Sequence, residues 1–422
     1  MKKHLLILLT LLLGLSAMWP ARSAHILIPM DDKQTEHLKS YGIAFWVLQN
    51  AIEVDWLLNY RGGSFMVPFF PDIEKECLIR NVSYEVISDA QSVQILAEIA
   101  SPSVNMDAVK LEKAPRIAVY SPSNKLPWDD AVTLALTYAE IPYDLVYDEE
   151  VLRGDLKDYD WLHLHHEDFT GQYGKFYGAY HHMPWYQEEV QTNQTMAAKL
   201  GFSKVSKMKL AVAQTIKEFV FKGGFLFAMC SATDSFDIAL AAQGTDICES
   251  MFDGDPADPQ AQEKLDYDQC LAFTNFQLVK DPYQYEYSSI DATETRKLRQ
   301  EEDFFTLFEF SAKWDPVPTM LCQNHTNVVK GFMGQTTAFR NEYIKPHVLI
   351  MGESKKASES RYIHSEFGKG TWTFLSGHDP EDYQHRVGEE HTELAKYPNS
   401  PGYRLILNNV LFPAAKKKKL KT

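Results

Sequence analysis

Short apolar runs and amphipathic stretches alternate along most of this chain. The run "HILIPM" is followed by a helical pattern around "TEHLKSYGIAFWVLQNA", then "VDWLLNY", a Gly-Gly turn, "SFMVPF", and "YEVIS" before "DAQSVQILAEIA". Such alternation predicts a parallel α/β module to about residue 110. The stretch "SPSVNMDAVKLEKAP" carries no clear periodicity and is expected to be a linker.

A second series begins with the strand "RIAVYS" and the helix "PWDDAVTLALTYAEI", with Pro127 near its first turn. The strands "YDLVY" and "YDWLHLHH" follow, then a polar and aromatic insertion over 167–201. In "SKVSKMKLAVAQTIKEFVFKGG" the residues Met208, Val212, Ile216 and Phe219 share one helical face, and Gly223 closes it. "FLFAM" reads as a buried strand. After a long irregular middle come "HVLIMGE", "YIHSEF", "TWTFLSGHDPE" and the helix "GYRLILNNVLF". No internal repeat is visible. Insertions of this length are expected to build a lid or substrate wall.

The fold expected is therefore α/β: a parallel-sheet domain over 113–412 with large insertions, preceded by a smaller α/β module over 24–112. Residues 1–23 read as a leader. Lys2 and Lys3 precede a leucine-rich run at 5–15 and the small-residue zone "AMWPARSAH", the pattern of a cleaved secretory signal with the cut near Ser23 or Ala24. An uncleaved anchor is the weaker alternative, because the run is short for a bilayer. The expected mature protein is exported, periplasmic or extracellular, without a transmembrane segment. Residues 413–422 end in "KKKKLKT" and are expected to be a disordered, solvated tail.

Charge narrows the partners. Removing Lys2, Lys3 and Arg22 leaves 42 − 3 = 39 basic residues against 57 acids, or −18. An acidic body disfavours nucleic acid. With 45% hydrophobic and 13% aromatic residues, a large core is assured. The five cysteines, Cys77, Cys230, Cys248, Cys270 and Cys322, include no CxxC pair, which argues against a zinc ribbon or thioredoxin-like site. Cys248 and Cys270 flank an acidic loop and offer one bridge across it. An odd count leaves at least one free thiol or an intermolecular bond.

Chemistry concentrates at "GGFLFAMCSATDSFDIALA", 223–241. A strand ends on Cys230 and a helix starts at once. The small residues Ala228 and Ala232 lie two positions either side, as a tight strand–nucleophile–helix turn demands. Amide groups of the following helix, Ser231 first, would lower the thiol pKa and hold an oxyanion. The bland alternative is a buried cysteine at a strand end. A thiol nucleophile needs a base, and "FGKGTWTFLSGHDPED" supplies His378 just past a strand, with Asp379 or Glu381 to orient it. The alternative there is a histidine that caps a strand end.

These two segments resemble the nucleophile elbow and the closing strand and histidine loop of class I glutamine amidotransferase-like domains, especially trehalose-utilisation-type members. The resemblance covers roughly residues 114–412. It implies a flavodoxin-like fold, Cys230 as nucleophile and His378 as base. Those enzymes place Glu two residues after His; here that position is Pro380, flanked by Asp379 and Glu381. The whole chain also resembles a bacterial secreted family labelled asparagine synthetase B, through "ILIPMDD", "YGIAFWVLQNAIEVDWLLNYRGGSF" and "HHEDFTGQYGKF". Synthetase chemistry does not follow. The expected mature start has no N-terminal cysteine, and "SATDS" at 231–235 lacks both glycines of the ATP loop.

The function expected is an exported hydrolase of an amide or related acyl bond through a Cys230 thioester. The alternative is a non-catalytic envelope protein that binds a sugar or peptide between Trp161, Tyr173, Phe176, Tyr180 and Trp185. His165, His166 and Glu167 are expected to line the same cleft with Ser231. A divalent metal at His165–Asp168 is a third option, but no HExxH spacing supports it, so no metal or cofactor is expected. Arg61 before Gly62-Gly63 reads as a carboxylate or phosphate binder or, more simply, as a solvated turn residue.

Overall fold

A computed structural model describes residues 24–122, 127–294 and 296–415. The segment 1–23, expected to be a leader, and the residues from 416 onward lie outside them.

The N-terminal sheet has five strands: β1 (Ala24–Ile28), β2 (Val54–Leu58), β3 (Ser64–Pro68), β4 (Glu85–Ser88) and β5 (Asp107–Leu111). Its order is β4-β1-β3-β2-β5, and every neighbouring pair is antiparallel, not parallel as expected. The reason is the turn at 59–63. Parallel neighbours need a crossover of a dozen residues or more, and five residues only make a hairpin. The expected linker contains β5, in which Val109 and Leu111 face the core while Lys110 pairs with Asp55 at 2.7 Å. Its inward-outward alternation is too brief to stand out in the sequence. Arg61 is held by Asp31 and Glu85 at 2.7 and 2.8 Å, so carboxylates of its own chain already occupy it.

The second sheet has ten strands. Five run parallel: β6 (Ile117–Tyr120), β7 (Asp144–Val146), β8 (Trp161–Leu164), β9 (Phe225–Met229) and β15 (Gly370–Leu375). They lie in the order β7-β6-β8-β9-β15. The expected parallel sheet is therefore present, but it is half of a mixed one. The antiparallel half continues through β14 (Glu359–Phe367), β13 (Leu349–Ser354), β10 (Phe304–Leu307) and β11 (Val328–Lys330), with β12 (Phe339–Arg340) beside β14.

The Val205–Lys222 helix buries Met208, Val212, Ile216 and Phe219 as its spacing predicts, and Gly223 closes it at φ 125°. The Ala131–Tyr138 helix starts later than its sequence implied. Asp130 caps it, accepting from the amides of Val132 and Thr133 at 2.8 and 2.9 Å. Among the described residues no helix is long and apolar enough to cross a membrane.

One apolar core runs under both sheets, from Ile28, Trp56 and Phe65 to Leu405 and Val410. Arg404, fully buried on the Pro401–Leu411 helix, donates to the carbonyls of Met30 and Gly62 at 3.1 and 2.8 Å. The first residues of the expected tail are structured instead: Phe412–Ala414 forms a helical turn, and Ala415 bridges Leu111.

Candidate active site

Register explains why distant residues meet. Leu164 pairs with Ala228, and Met229 with Leu375, so β8, β9 and β15 end side by side. Their next residues are His165, Cys230 and the loop to His378. Adjacent strands lie about 4.8 Å apart. The backbone closes the group: Cys230 N–H donates to Gly377 O at 3.2 Å, and Ala232 N–H to His165 O at 2.9 Å.

Cys230 sits at φ 51°, a left-handed conformation that a non-glycine residue adopts only under constraint. The strand ends at Met229, and only Cys230 and Ser231 separate it from the Ala232–Ala241 helix. Cys230 is buried yet lines a cavity of about 580 Å³. Trp128, Phe176, Tyr180 and Tyr285 form aromatic walls, and His166, His378, His385 and Gln335 supply polar groups. The expected thiolate is not present. Burial pushes the Cys230 thiol up to about 12, and the amides of Gln335 and Ser231 beside the sulfur offset this only in part. Asp291 and Asp234 add opposing negative charge.

The His378 loop is clasped by the segment 331–337. His378 N–H donates to Met333 O and Gly377 N–H to Thr336 O, each at 2.8 Å. Gly334 permits this approach, since a Cβ there would meet His378 N at 2.7 Å. Both ring nitrogens of His378 are buried without a hydrogen-bond partner. Burial, then the neighbouring His165, His385 and His166, hold the imidazole well below its ordinary range, so it is neutral.

Neither expected orienting acid bonds to that ring. Asp379 turns away and accepts from the amides of Glu381 and Asp382 at 2.8 and 3.3 Å. Glu381 faces Ser400. The β-bridge between Asp379 and Asp382 redirects both side chains, which spacing alone does not reveal. What lies against His378 is the ring of His385, stacked at 3.6 Å between centroids and 7° between planes. Burial opposes charge on His385, but Asp382, Asp129 and Glu389 prevail and raise its pKa.

His165 and His166 both lie against His378, but of the expected polar cleft residues only His166 lines the cavity: His165 is fully buried, and Glu167 lines a neighbouring pocket with Asp168 and Lys209. Ring centroids of His165 and His378 lie 4.3 Å apart, and those of His166 and His378 5.9 Å. Asp130 stands 3.3 Å from His165 Nδ1 and 3.5 Å from His163 Nε2. Burial works against its charge, but the two imidazoles hold its carboxyl well below the usual range. Glu167 accepts from His165 N–H at 3.2 Å, and burial first, then Asp130, raise it to about 8. His165, His166 and His378 each bring a nitrogen within 4.8 Å of the others. So do ligand atoms of Asp129, His378 and His385, and of Asp130, His163 and His165.

Three expected wall or cleft residues are placed elsewhere. Trp161 is buried in the core, where its ring stacks against both His163 and Phe227. Tyr173 packs on Tyr186 and Phe252 in a separate aromatic cluster. Trp185 backs Trp128 and Phe176 from behind. Ser231 is fully buried. Cys248 and Cys270 form no bridge: Cys248 donates to Thr170 O and Cys270 to Asp237 O, and all five cysteines are free.

Sequence inspection missed Asp129, Asp130, Trp128 and His385. A signal existed for the first three, because "PWDD" follows β6 at the same sheet end. His385 sits in an irregular loop and had none.

No family model matches this chain, and no curated protein does. Among solved structures, two cytoplasmic proteins of Salmonella typhimurium align with 72% and 71% of this chain and 100% of their own, at 10% and 12% identity and TM-scores of 0.34 and 0.35. A beta-galactosidase from Bacillus circulans sp. alkalophilus aligns over 65% of this chain and 29% of its own, at 10% identity and a TM-score of 0.28. Likenesses this slight carry no functional argument.

Proposed function

We propose that this protein hydrolyses an amide or related acyl bond in the Cys230 cavity, with Cys230 as nucleophile and His378 as general base. One observation carries the proposal: Cys230 is held at φ 51° between a parallel strand and a helix, at the floor of a cavity that His378 also lines. Left-handed strain at a strand–helix corner is the mark of a nucleophile elbow. The parallel strand order, 2-1-3-4-5 when counted along the chain, is that of flavodoxin-like sheets, whose sites lie beyond the carboxyl strand ends. This supports the expected amidotransferase-like fold.

The protonation states point to one route. The thiol is protonated at neutral pH and the imidazole is neutral, so no thiolate–imidazolium pair exists at rest. Cys230 would lose its proton to His378 while attacking the acyl carbon. The C–S bond forms, and the oxygen takes the negative charge beside the Ser231 and Gln335 amides. The imidazolium then gives the proton to the leaving amine, and water hydrolyses the thioester with His378 again as base. Asparagine synthetase chemistry is not part of the proposal.

The aromatic walls favour one second reading, a binder of a sugar or peptide in the same cavity. A single experiment separates the two. After mild reduction, a small activated ester should place one acyl group on Cys230, detected by mass, and release it with time. Cys230→Ala should carry none. Absence of acylation at Cys230, with a folded protein, would leave the binder.

A further inference from the structure

The four ring nitrogens of His166 and His378, two side chains in contact at one sheet end, are buried without a hydrogen-bond partner, the nearest acid being Glu167 Oε1 at 3.7 Å from His166 Nε2. Buried polar groups left unsatisfied are costly and uncommon, so four together call for an occupant. His165 converges on the same point, and the nitrogens of all three residues lie within 4.8 Å of one another. An ion bound at about 2.1 Å to each would draw them to about 3.4 Å apart, a small adjustment of ring torsions.

A second observation is independent of the first. Asp130 stands 3.3 Å from His165 Nδ1 and is anchored by the two helix amides it caps. A carboxylate behind a histidine fixes the Nδ1–H tautomer and turns the Nε2 lone pair outward, as behind metal-bound histidines. That Nε2 faces the carbonyl oxygen of His378 at 3.2 Å.

We propose that His165, His166 and His378 bind one divalent transition-metal ion of the zinc class, with a fourth position open to the cavity, and that binding withdraws His378 from Cys230. Three imidazoles and an open position suit zinc and its neighbours better than magnesium or calcium, which prefer oxygen ligands. Binding stands independently of the Cys230 chemistry. Withdrawal of His378 rests on it, because a coordinated imidazole has no lone pair for a proton. The metal-loaded form is then the inactive one, and ion release frees the base.

The test uses the full mature chain, reduced and stripped with a chelator. Equilibrium dialysis against Zn²⁺ should give one ion per chain. His166→Ala should weaken it more than about 100-fold, and Asp130→Asn, which preserves the helix cap, by about 10–100-fold. Asp246→Asn, in a separate carboxylate–thiol cluster, should change nothing. Co²⁺ should give visible bands without a thiolate charge-transfer band, which also decides the case if His166→Ala fails to fold. No stoichiometric uptake, uptake indifferent to His166→Ala and Asp130→Asn, or a thiolate band would overturn the site. Cys230→Ala should bind Zn²⁺ as tightly as wild type, which keeps this result separate from the proposed hydrolysis. Zn²⁺ should slow acylation of Cys230 as much as His378→Ala does; an unchanged rate in Zn²⁺-saturated protein would overturn the withdrawal.

Discussion

Asp303 should be among the most destabilising positions to truncate, although it does not line the Cys230 cavity. Arg361 is fully buried and donates through Nη2 to both Asp303 oxygens, at 2.7 and 2.8 Å. Arg296 donates to the same carboxylate at 3.0 Å. Asp303→Ala would leave the Arg361 guanidinium buried with only the Phe332 carbonyl at 2.9 Å. Breaking a buried pair by removing one partner costs about 3–5 kcal/mol. The damage should also reach the site. Arg361 O accepts from Ser376 N–H at 2.8 Å, and Phe332 belongs to the segment that clasps His378. Urea unfolding followed by tryptophan fluorescence measures the first effect, and acylation of Cys230 the second. Asp303→Leu combined with Arg361→Met should regain most of the stability, since apolar replacement of a buried pair is often neutral or better. A loss below about 1 kcal/mol for Asp303→Ala, at unchanged denaturant slope, would refute the reasoning.

Other expectations follow from the same geometry. Gly334→Ala should cost about 1–3 kcal/mol and slow acylation, because the new Cβ meets backbone atoms of the His378 loop; melting and acylation rates report both. A small alkylating agent should label Cys230 about tenfold faster per pH unit up to near pH 11. With the thiol pushed up to about 12, the thiolate is only about one ten-thousandth of the total at pH 8, and a plateau below pH 9 would contradict this. Arg404→Met should loosen the N-terminal sheet by leaving the Gly62 carbonyl unpaired and the Met30 carbonyl with His37 Nε2 alone at 2.9 Å, seen as faster proteolysis near 112–116; an unchanged cleavage rate would count against the shared core.

The residues that were legible early are those whose pattern is local. The helix face from Met208 to Phe219, the strand before Cys230 and the loop to His378 each follow from a periodicity or a turn within a few residues. Pairing direction is not local. β1 to β5 were each near a visible segment or hidden in a short one, yet their antiparallel order depends on which strands meet, and only the five-residue turn at 59–63 betrayed it. Side-chain direction after a strand is equally non-local. Asp379 and Glu381 sit beside His378 in sequence, but a β-bridge turns them away. His385, seven residues on, stacks on the His378 ring because the loop folds back. Burial decides the thiol: helix-start amides favour a thiolate, and the desolvation visible only in the fold outweighs them.

The most direct measurement compares the single-turnover acylation of Cys230 by an activated ester in wild-type and His378→Ala protein, both reduced and metal-free at neutral pH. With a protonated thiol and a neutral imidazole in one cavity, loss of the base should slow acylation by about 10²–10⁴-fold. The Cys230 adduct should still form slowly in the variant. Equal rates in the two proteins would contradict the assignment of His378 as the base for Cys230.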